Sequence, residues 1–144
     1  MTTELPALQA ALAAEHAVIW GYGVVGARLT GPELAAVAKA DKAHRDRRDA
    51  VADLVRQRGG DPVAAEAAYR PPFEVRDRTT ALRLGAYLED GAAAAWRYVV
   101  GSAEAAALRE TAVDALLDTA TRATRWRLLV DPAHAAAAFP GTPS

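Results

Sequence analysis

Apolar residues recur at alternating spacings of three and four along four long stretches of the chain. This spacing places them on one stripe of an amphipathic helix. Glycine and proline interrupt the pattern between the stretches, at Gly31-Pro32, Gly59-Gly60, Gly101 and Asp131-Pro132. The pattern therefore predicts an all-α fold with helices over about 4–28, 30–58, 77–100 and 102–130.

The lengths of the connections predict the topology. Short connections join the first helix to the second and the third to the fourth, so each pair forms an antiparallel hairpin. The segment over about 59–76 contains three prolines; extended at ~3.3 Å per residue it reaches ~55 Å, whereas the second helix is only ~40 Å long. It can therefore cross the whole bundle. Two hairpins joined by one long crossover are the ferritin-like arrangement, so we predict a single ferritin-like four-helix domain over 1–144 with a tail over about 131–144.

Composition excludes several classes of protein. The 144 residues include no cysteine, which excludes disulfides, thiolate metal sites and cysteine catalysis. A net charge of −1 gives no electrostatic footprint for nucleic acid or a membrane surface. The longest core-like stretch free of ionisable residues, 17–27, is far shorter than the ~20 residues of a membrane span. We expect a bacterial cytoplasmic protein that contacts neither nucleic acid nor membrane.

Ionisable residues interrupt three of the apolar stripes near their middles. Glu15 interrupts the first helix, Asp41 and His44 the second, and Glu89 the third, with Arg48 one turn beyond His44. In the predicted topology these side chains meet at the centre of the bundle. Buried carboxylates are costly unless cations, metal ions or hydrogen-bond donors compensate them, so this cluster is the candidate site.

Two interpretations of the cluster are open. Ferritin-like metal sites take a Glu from each of two helices and Glu-x-x-His from each of the others; here Asp41-x-x-His44 carries Asp instead, and the fourth helix has no histidine. The dinuclear site is therefore incomplete. The favoured interpretation is a metal-free buried polar network of Glu15, His44, Arg48 and Glu89. The other is a single Fe, Mn or Zn ion on Glu15, Asp41, His44 and Glu89. We assign no catalytic residue.

The segment Gly21–Gly26 matches the dinucleotide fingerprint G-x-G-x-x-G. That motif requires a strand before it and a helix after it, which the helical period here does not supply. Each glycine inside a helix costs ~1 kcal/mol relative to alanine. We therefore expect a close helix–helix approach or a partner chain on this face, and our hypothesis is a symmetric homodimer. We also expect His16 to contact the crossover.

A combination of motifs over nearly the whole chain resembles an actinobacterial family of ferritin-like domains of unknown function. The motifs are Ala14-Glu15-His16, Gly21–Gly26, His44-Arg45-x-x-Arg48-Asp49, Glu89, Trp126-Arg127 and Phe139-Pro140-Gly141. The resemblance implies a four-helix ferritin-like fold and a bacterial cytoplasmic setting. It implies no activity, cofactor or substrate. The chain departs from ferritin-like oxidases and storage proteins in lacking the histidine motif of the fourth helix.

Three functions follow from these observations, in order of preference. The first is a non-catalytic binding or structural module that acts as a homodimer, with a protein partner that the sequence does not identify. The second is a metal-dependent oxidoreductase in which Tyr22 neighbours the ion. The third is a binder of small ligands or anions that uses the arginines and the crossover. The tail should dock on the bundle through Phe139 or insert into a neighbouring subunit.

Overall fold

The computed structural model describes residues 2–142 and contains four long helices. They are α1 (Glu4–Gly26), α2 (Gly31–Gln57), α3 (Arg78–Ser102) and α4 (Ala106–Leu128), followed by a short 3-10 turn over Pro132–His134. No strand occurs within the described residues, which confirms the predicted all-helical fold. None of these helices is both long and apolar enough to cross a membrane. Residue 1 and residues 143–144, which the predicted domain and tail include, lie outside the described residues.

Two helix ends differ from the prediction. Thr30-Gly31-Pro32-Glu33 has the sequence of a capping box, but the Thr30 side chain caps nothing and Glu33 binds Arg78. A capping box forms instead at the start of α3, where the Asp77 side chain accepts from the Thr80 backbone. Gly101 does not end α3, which continues to Ser102, and α4 begins only at Ala106. Glycine tolerates helical conformation, so it marks a helix end only where the chain needs a positive φ.

The segment between α2 and α3 runs along α1. The Gln9 side chain accepts from the Val63 backbone N–H at 2.9 Å, and His16 Nε2 donates to the Val63 carbonyl at 3.0 Å. Further along, the rings of Trp20 and Tyr69 lie 5.8 Å apart. These contacts confirm that His16 meets the crossover.

Contacts at the two ends of the bundle define the helix directions. Glu4, at the start of α1, accepts from Arg58 just beyond α2 at 2.6 Å and from the Glu104 backbone, just before α4, at 3.0 Å. At the opposite end, Arg78 at the start of α3 binds Glu33 in the first turn of α2 through two 2.8 Å bonds. Consequently α2 and α3 start at the same end, and each short connection joins antiparallel helices.

The apolar core has two halves, and the buried polar residues lie between them. One half contains Leu8, Leu12, Val51, Trp96 and Leu108; the other contains Tyr22, Val25, Val37, Leu82 and Trp126. Along each helix, one buried polar residue separates the two halves: Glu15, His44, Glu89 and Thr119. The interruptions of the apolar stripes therefore form one layer across the middle of the bundle.

The glycines of α1 are accommodated within the chain. A Cβ on Gly21 would overlap the Leu88 side chain of α3, and one on Gly26 would lie 3.4 Å from Val37 of α2. A Cβ on Gly23 would meet nothing within 4 Å. Close helix–helix approach accounts for Gly21, so it does not require a partner chain on this face.

The C-terminal tail docks on the bundle through residues other than Phe139. Ala135 is buried, and its carbonyl accepts from Arg127 Nε at 2.6 Å. Gly141 adopts φ +82° and packs so closely on α3 that a Cβ would lie 2.9 Å from the Ala93 carbonyl. Phe139 is 74% exposed. Phe139 therefore does not anchor the tail on its own bundle, where the Arg127 side chain and a close Gly141 contact hold it instead; insertion into a neighbouring subunit stays a prediction.

Candidate functional site

Three fully buried ionisable side chains from three helices meet at the centre of the bundle. His44 of α2 lies between Glu15 of α1 and Glu89 of α3. Its Nδ1 bonds Glu15 Oε2, and its Nε2 bonds Glu89 Oε1 at 2.9 Å. Each of the three replaces an apolar residue on the inward stripe of its helix. The structure therefore brings together these three predicted residues.

The arrangement requires a charged imidazole. A neutral histidine donates through only one ring nitrogen, whereas here Nδ1 bonds Glu15 and Nε2 bonds Glu89 at 2.9 Å, with Arg122 Nη1 farther from Nε2 at 3.5 Å. Burial by itself disfavours the charged form, but hydrogen bonds and charges from Glu15 and Glu89 outweigh it and raise the pKa of His44 from 6.5 to about 9. His44 is thus an imidazolium at neutral pH.

Aromatic side chains supply further donors to the two carboxylates. Trp96 Nε1 donates to Glu15 Oε1 at 2.8 Å, and the Tyr22 hydroxyl donates to Glu89 Oε1. Trp126 Nε1 in turn donates to the Tyr22 hydroxyl oxygen at 2.9 Å. Burial, reinforced by the Glu89 charge, raises the pKa of Tyr22 well above 10. Tyr22 therefore remains a neutral donor and holds Glu89 in place.

Helix α4 contributes an arginine in place of the missing histidine motif. Arg122 Nη1 lies 3.5 Å from Glu89 Oε1, and its Nη2 binds Asp118 at 3.0 and 3.1 Å. Arg47 of α2 binds the same Asp118 at 3.0 Å, which links α2 to α4. The site predicted from the sequence includes neither Asp118 nor Arg122. Both residues flank Thr119, whose burial is known only from the structure.

The charges of this cluster cancel. Three carboxylates lie beside three cations, and we call this set the charged layer: Glu15, Glu89 and Asp118 with His44, Arg47 and Arg122. Burial of ions is tolerated when each is paired and hydrogen-bonded. Two buried atoms have no hydrogen-bond partner among the described residues, Glu89 Oε2 and Arg47 Nη1.

Asp41 and Arg48 lie outside the charged layer, which corrects their predicted place in the site. Asp41 pairs with Arg45 at 2.7 Å, and Arg48 pairs with Asp49 at 2.9 Å, both near the surface. The inward stripe of α2 instead uses Ala40 and Arg47. The observed stripe thus differs from the predicted one by one position on each side of His44. Ala40-His44-Arg47 and Asp41-His44-Arg48 both follow spacings of three and four, so the spacing does not distinguish them.

The residues present do not fit the predicted metal ion. Within residues 2–142, no three His, Asp or Glu side chains are arranged to hold one. A histidine ligand must offer a ring-nitrogen lone pair, whereas both nitrogens of His44 donate to carboxylates. Asp41 points away from the centre, and the guanidinium of Arg122 lies against Glu89. The donor set therefore suits a salt-bridged network better than a cation site.

A groove separates α2 from α4 beside the charged layer. Helix α1 packs on α2 and α3, and α3 packs on α4, but α2 and α4 make little direct contact. The face of α2 at this gap carries alanines. The resulting cavity of about 650 Å³ is lined by Ala36, Lys39, Ala40 and Ala43 of α2 and by Arg122, Arg125, Trp126 and Leu129. A second cavity of about 370 Å³ lies further along the same two helices, next to Arg47.

Comparison with known proteins identifies a family and a solved structure of high similarity. The family described as "Domain of unknown function (DUF4439)" matches residues 7–144. The crystal structure of a conserved hypothetical protein, rv2844, from Mycobacterium tuberculosis is 41% identical, with a TM-score of 0.87 over 89% of this chain and 97% of that one. No curated protein matches the chain. The mycobacterial relative is consistent with the actinobacterial resemblance, and the chain belongs to the DUF4439 family of domains of unknown function.

Proposed function

We propose that this protein is a ferritin-like four-helix bundle that serves in the cytoplasm as a metal-free binding module and not as a metal-dependent oxidoreductase. One observation carries the proposal: His44 is held by carboxylates at both ring nitrogens, and an arginine takes the place of the ligands expected from α4. The topology of two hairpins and one crossover supports the ferritin-like assignment.

Charge supports a structural role for the centre. A dinuclear site would bring a charge of about +4 and normally four carboxylates to match it. Here Glu15, Glu89 and Asp118 are already balanced by His44, Arg47 and Arg122. A metal ion would have to displace protons or guanidinium groups from a closed set of ion pairs. The charged layer thus holds the helices in register, and the groove between α2 and α4 is left for binding.

Metal content tests the proposal. Plasma mass spectrometry would be applied to untagged protein purified without chelator, before and after anaerobic loading with Fe(II) or Mn(II). We expect far less than one equivalent of metal in both states. The His44→Ala variant should also leave metal content unchanged while losing ~3–5 kcal/mol of stability, because it leaves two buried carboxylates without their shared cation.

The Asp41→Asn variant is a control that does not disturb the fold, since Asp41 pairs with Arg45 near the surface. A metal site built on Asp41 would lose affinity in this variant, whereas our proposal expects no change. One or two equivalents of metal in the native protein, lost in His44→Ala, would contradict the proposal and support the oxidoreductase.

The proposal includes a homodimer that forms through a face of α4 and not through the glycines of α1. Leu117 and Leu128 are exposed, at 57% and 51%, and lie about three turns apart on one face of α4. Two large apolar side chains aligned on one helix face support self-association. Light scattering after size exclusion should give twice the mass of the chain. The double variant Leu117→Lys, Leu128→Lys should give a monomer, and a monomeric native protein would refute this part.

A further inference from the structure

We infer that the groove between α2 and α4 binds a small organic carboxylate with an apolar body. This inference rests on the proposed function as a binding module and names its ligand class. The cavity of about 650 Å³ lies in the range of small-ligand sites. It occurs on the one side of the bundle where neighbouring helices make little contact, so a ligand there would complete the packing of α2 on α4.

The walls of the groove are mainly apolar. Ala36, Ala40 and Ala43 form one wall, and Trp126 and Leu129 lie on the other. The indole of Trp126 is fixed because its Nε1 donates to Tyr22 in the interior. These walls favour a ligand with a hydrocarbon chain or ring over a charged metabolite that has no apolar part.

The charges of the groove favour an anion. Lys39 of α2 and Arg125 of α4 are exposed and make no ion pair within residues 2–142. The acid that lines the same groove, Glu33, is held by Arg78 through two bonds, and Arg122 is compensated by Asp118 and Glu89. Two uncompensated cations therefore face the groove from opposite helices, and a carboxylate can accept from both.

The experiment uses octanoate and 4-phenylbutyrate as probes, with octan-1-ol as the neutral control. Isothermal titration calorimetry of the full chain should show saturable binding of at least one acid and much weaker binding of the alcohol. Binding should weaken as salt is added, because the charges are exposed. The same acid should raise the melting temperature, since it binds the folded state.

Matched variants locate the site. Ala36→Trp places a ring in the groove and should abolish binding, whereas Ala35→Trp adds the same ring to an exposed neighbour outside it. The double variant Lys39→Gln, Arg125→Gln should weaken binding ~10-fold, as expected for two exposed charge contacts. Arg45→Gln, a surface arginine paired with Asp41, should leave binding unchanged.

Several results would overturn the inference. These are no saturable binding of either acid, equal affinity for octan-1-ol, or equal effects of Ala36→Trp and Ala35→Trp. If Ala36→Trp instead converts a dimer to a monomer, the groove is an interface between copies and the ligand inference is wrong. Failure of the proposed function appears separately, as metal in the purified protein, and does not depend on these titrations.

Discussion

Nε2 of His44 on α2 lies 2.9 Å from Oε1 of Glu89 on α3, while the opposite nitrogen of the same ring bonds Glu15 on α1. One imidazolium thus joins three helices at the middle of the bundle. The ring and both carboxylates are fully buried, so their hydrogen bonds are shielded from water. Since both ring nitrogens donate, the two bonds exist together only while His44 is protonated.

Stability should decrease in alkaline solution. The pKa of His44 is raised from 6.5 to about 9 by its carboxylate partners, which exceed the opposing effect of burial. Stabilisation from this proton is therefore fully present below the ordinary pKa and is lost as pH rises through 9. The loss should total about 3 kcal/mol. Tyr22 stays neutral over this range because burial raises its pKa well above 10.

Urea unfolding from about pH 6 to about pH 10 measures this effect. The His44→Gln variant is the control: it should be less stable at neutral pH and should lack the progressive loss of stability between pH 6.5 and about 9. A native protein whose unfolding free energy is constant across the same range would show that His44 is not an imidazolium.

The N–H groups of the two buried tryptophans should contribute differently to the free energy of unfolding. Trp96 donates to the charged Glu15, whereas Trp126 donates to the neutral hydroxyl of Tyr22. Trp96→Phe should therefore cost ~1.5–3 kcal/mol through its lost hydrogen bond, and Trp126→Phe only ~0.5–1.5 kcal/mol. Both variants remove the same atoms, so unfolding free energies can be compared directly. Equal losses would indicate that the hydrogen bond from Trp96 to Glu15 is no stronger than the one from Trp126 to Tyr22.

Replacing an arginine of the charged layer should cost more stability than replacing an arginine at the surface. Arg122→Gln removes a cation that faces Glu89 and Asp118, and it should cost at least ~2 kcal/mol. Arg48→Gln removes only a surface pair with Asp49 and should change stability by less than ~0.5 kcal/mol. Thermal and urea unfolding of both variants test this order. A larger loss in Arg48→Gln would place Arg48 in the core after all.

Alanine at two glycines of α1 should have opposite effects. Gly23→Ala meets no neighbour within 4 Å and should stabilise the helix by up to ~1 kcal/mol. A Cβ at position 21 would overlap one terminal carbon of Leu88 and would lie 2.7 Å from the other and 3.1 Å from its Cγ, so Gly21→Ala requires the whole Leu88 side chain to move. We expect a net loss of ~1 kcal/mol from overpacking. Melting temperatures of the two variants report the difference, and stabilisation by both would mean that α1 and α3 are not in close contact there.

The sequence by itself determined the helices and the position of the buried polar residues. The spacing of three and four identifies residues that share one helix face, so Glu15, His44 and Glu89 stood out as ionisable interruptions of apolar stripes. Prolines and connection lengths likewise determined that a long segment joins the two hairpins. Both kinds of information are local, because they depend on intervals along one chain.

Only the tertiary structure decided which side chains complete the site. On α2, the stripe through Ala40 and Arg47 and the stripe through Asp41 and Arg48 have equally regular spacing, and the structure uses the first: Ala40 is buried and Arg47 binds Asp118 of α4. The contact of Arg122 with Glu89 joins residues 33 positions apart on different helices. The groove likewise lies between residues of two helices, with alanines of α2 on one side and Arg125, Trp126 and Leu129 of α4 on the other. The spacing of residues along the chain shows which of them share a helix face. Ion pairs and cavities depend on distances between helices, and the spacing gives no information about those distances.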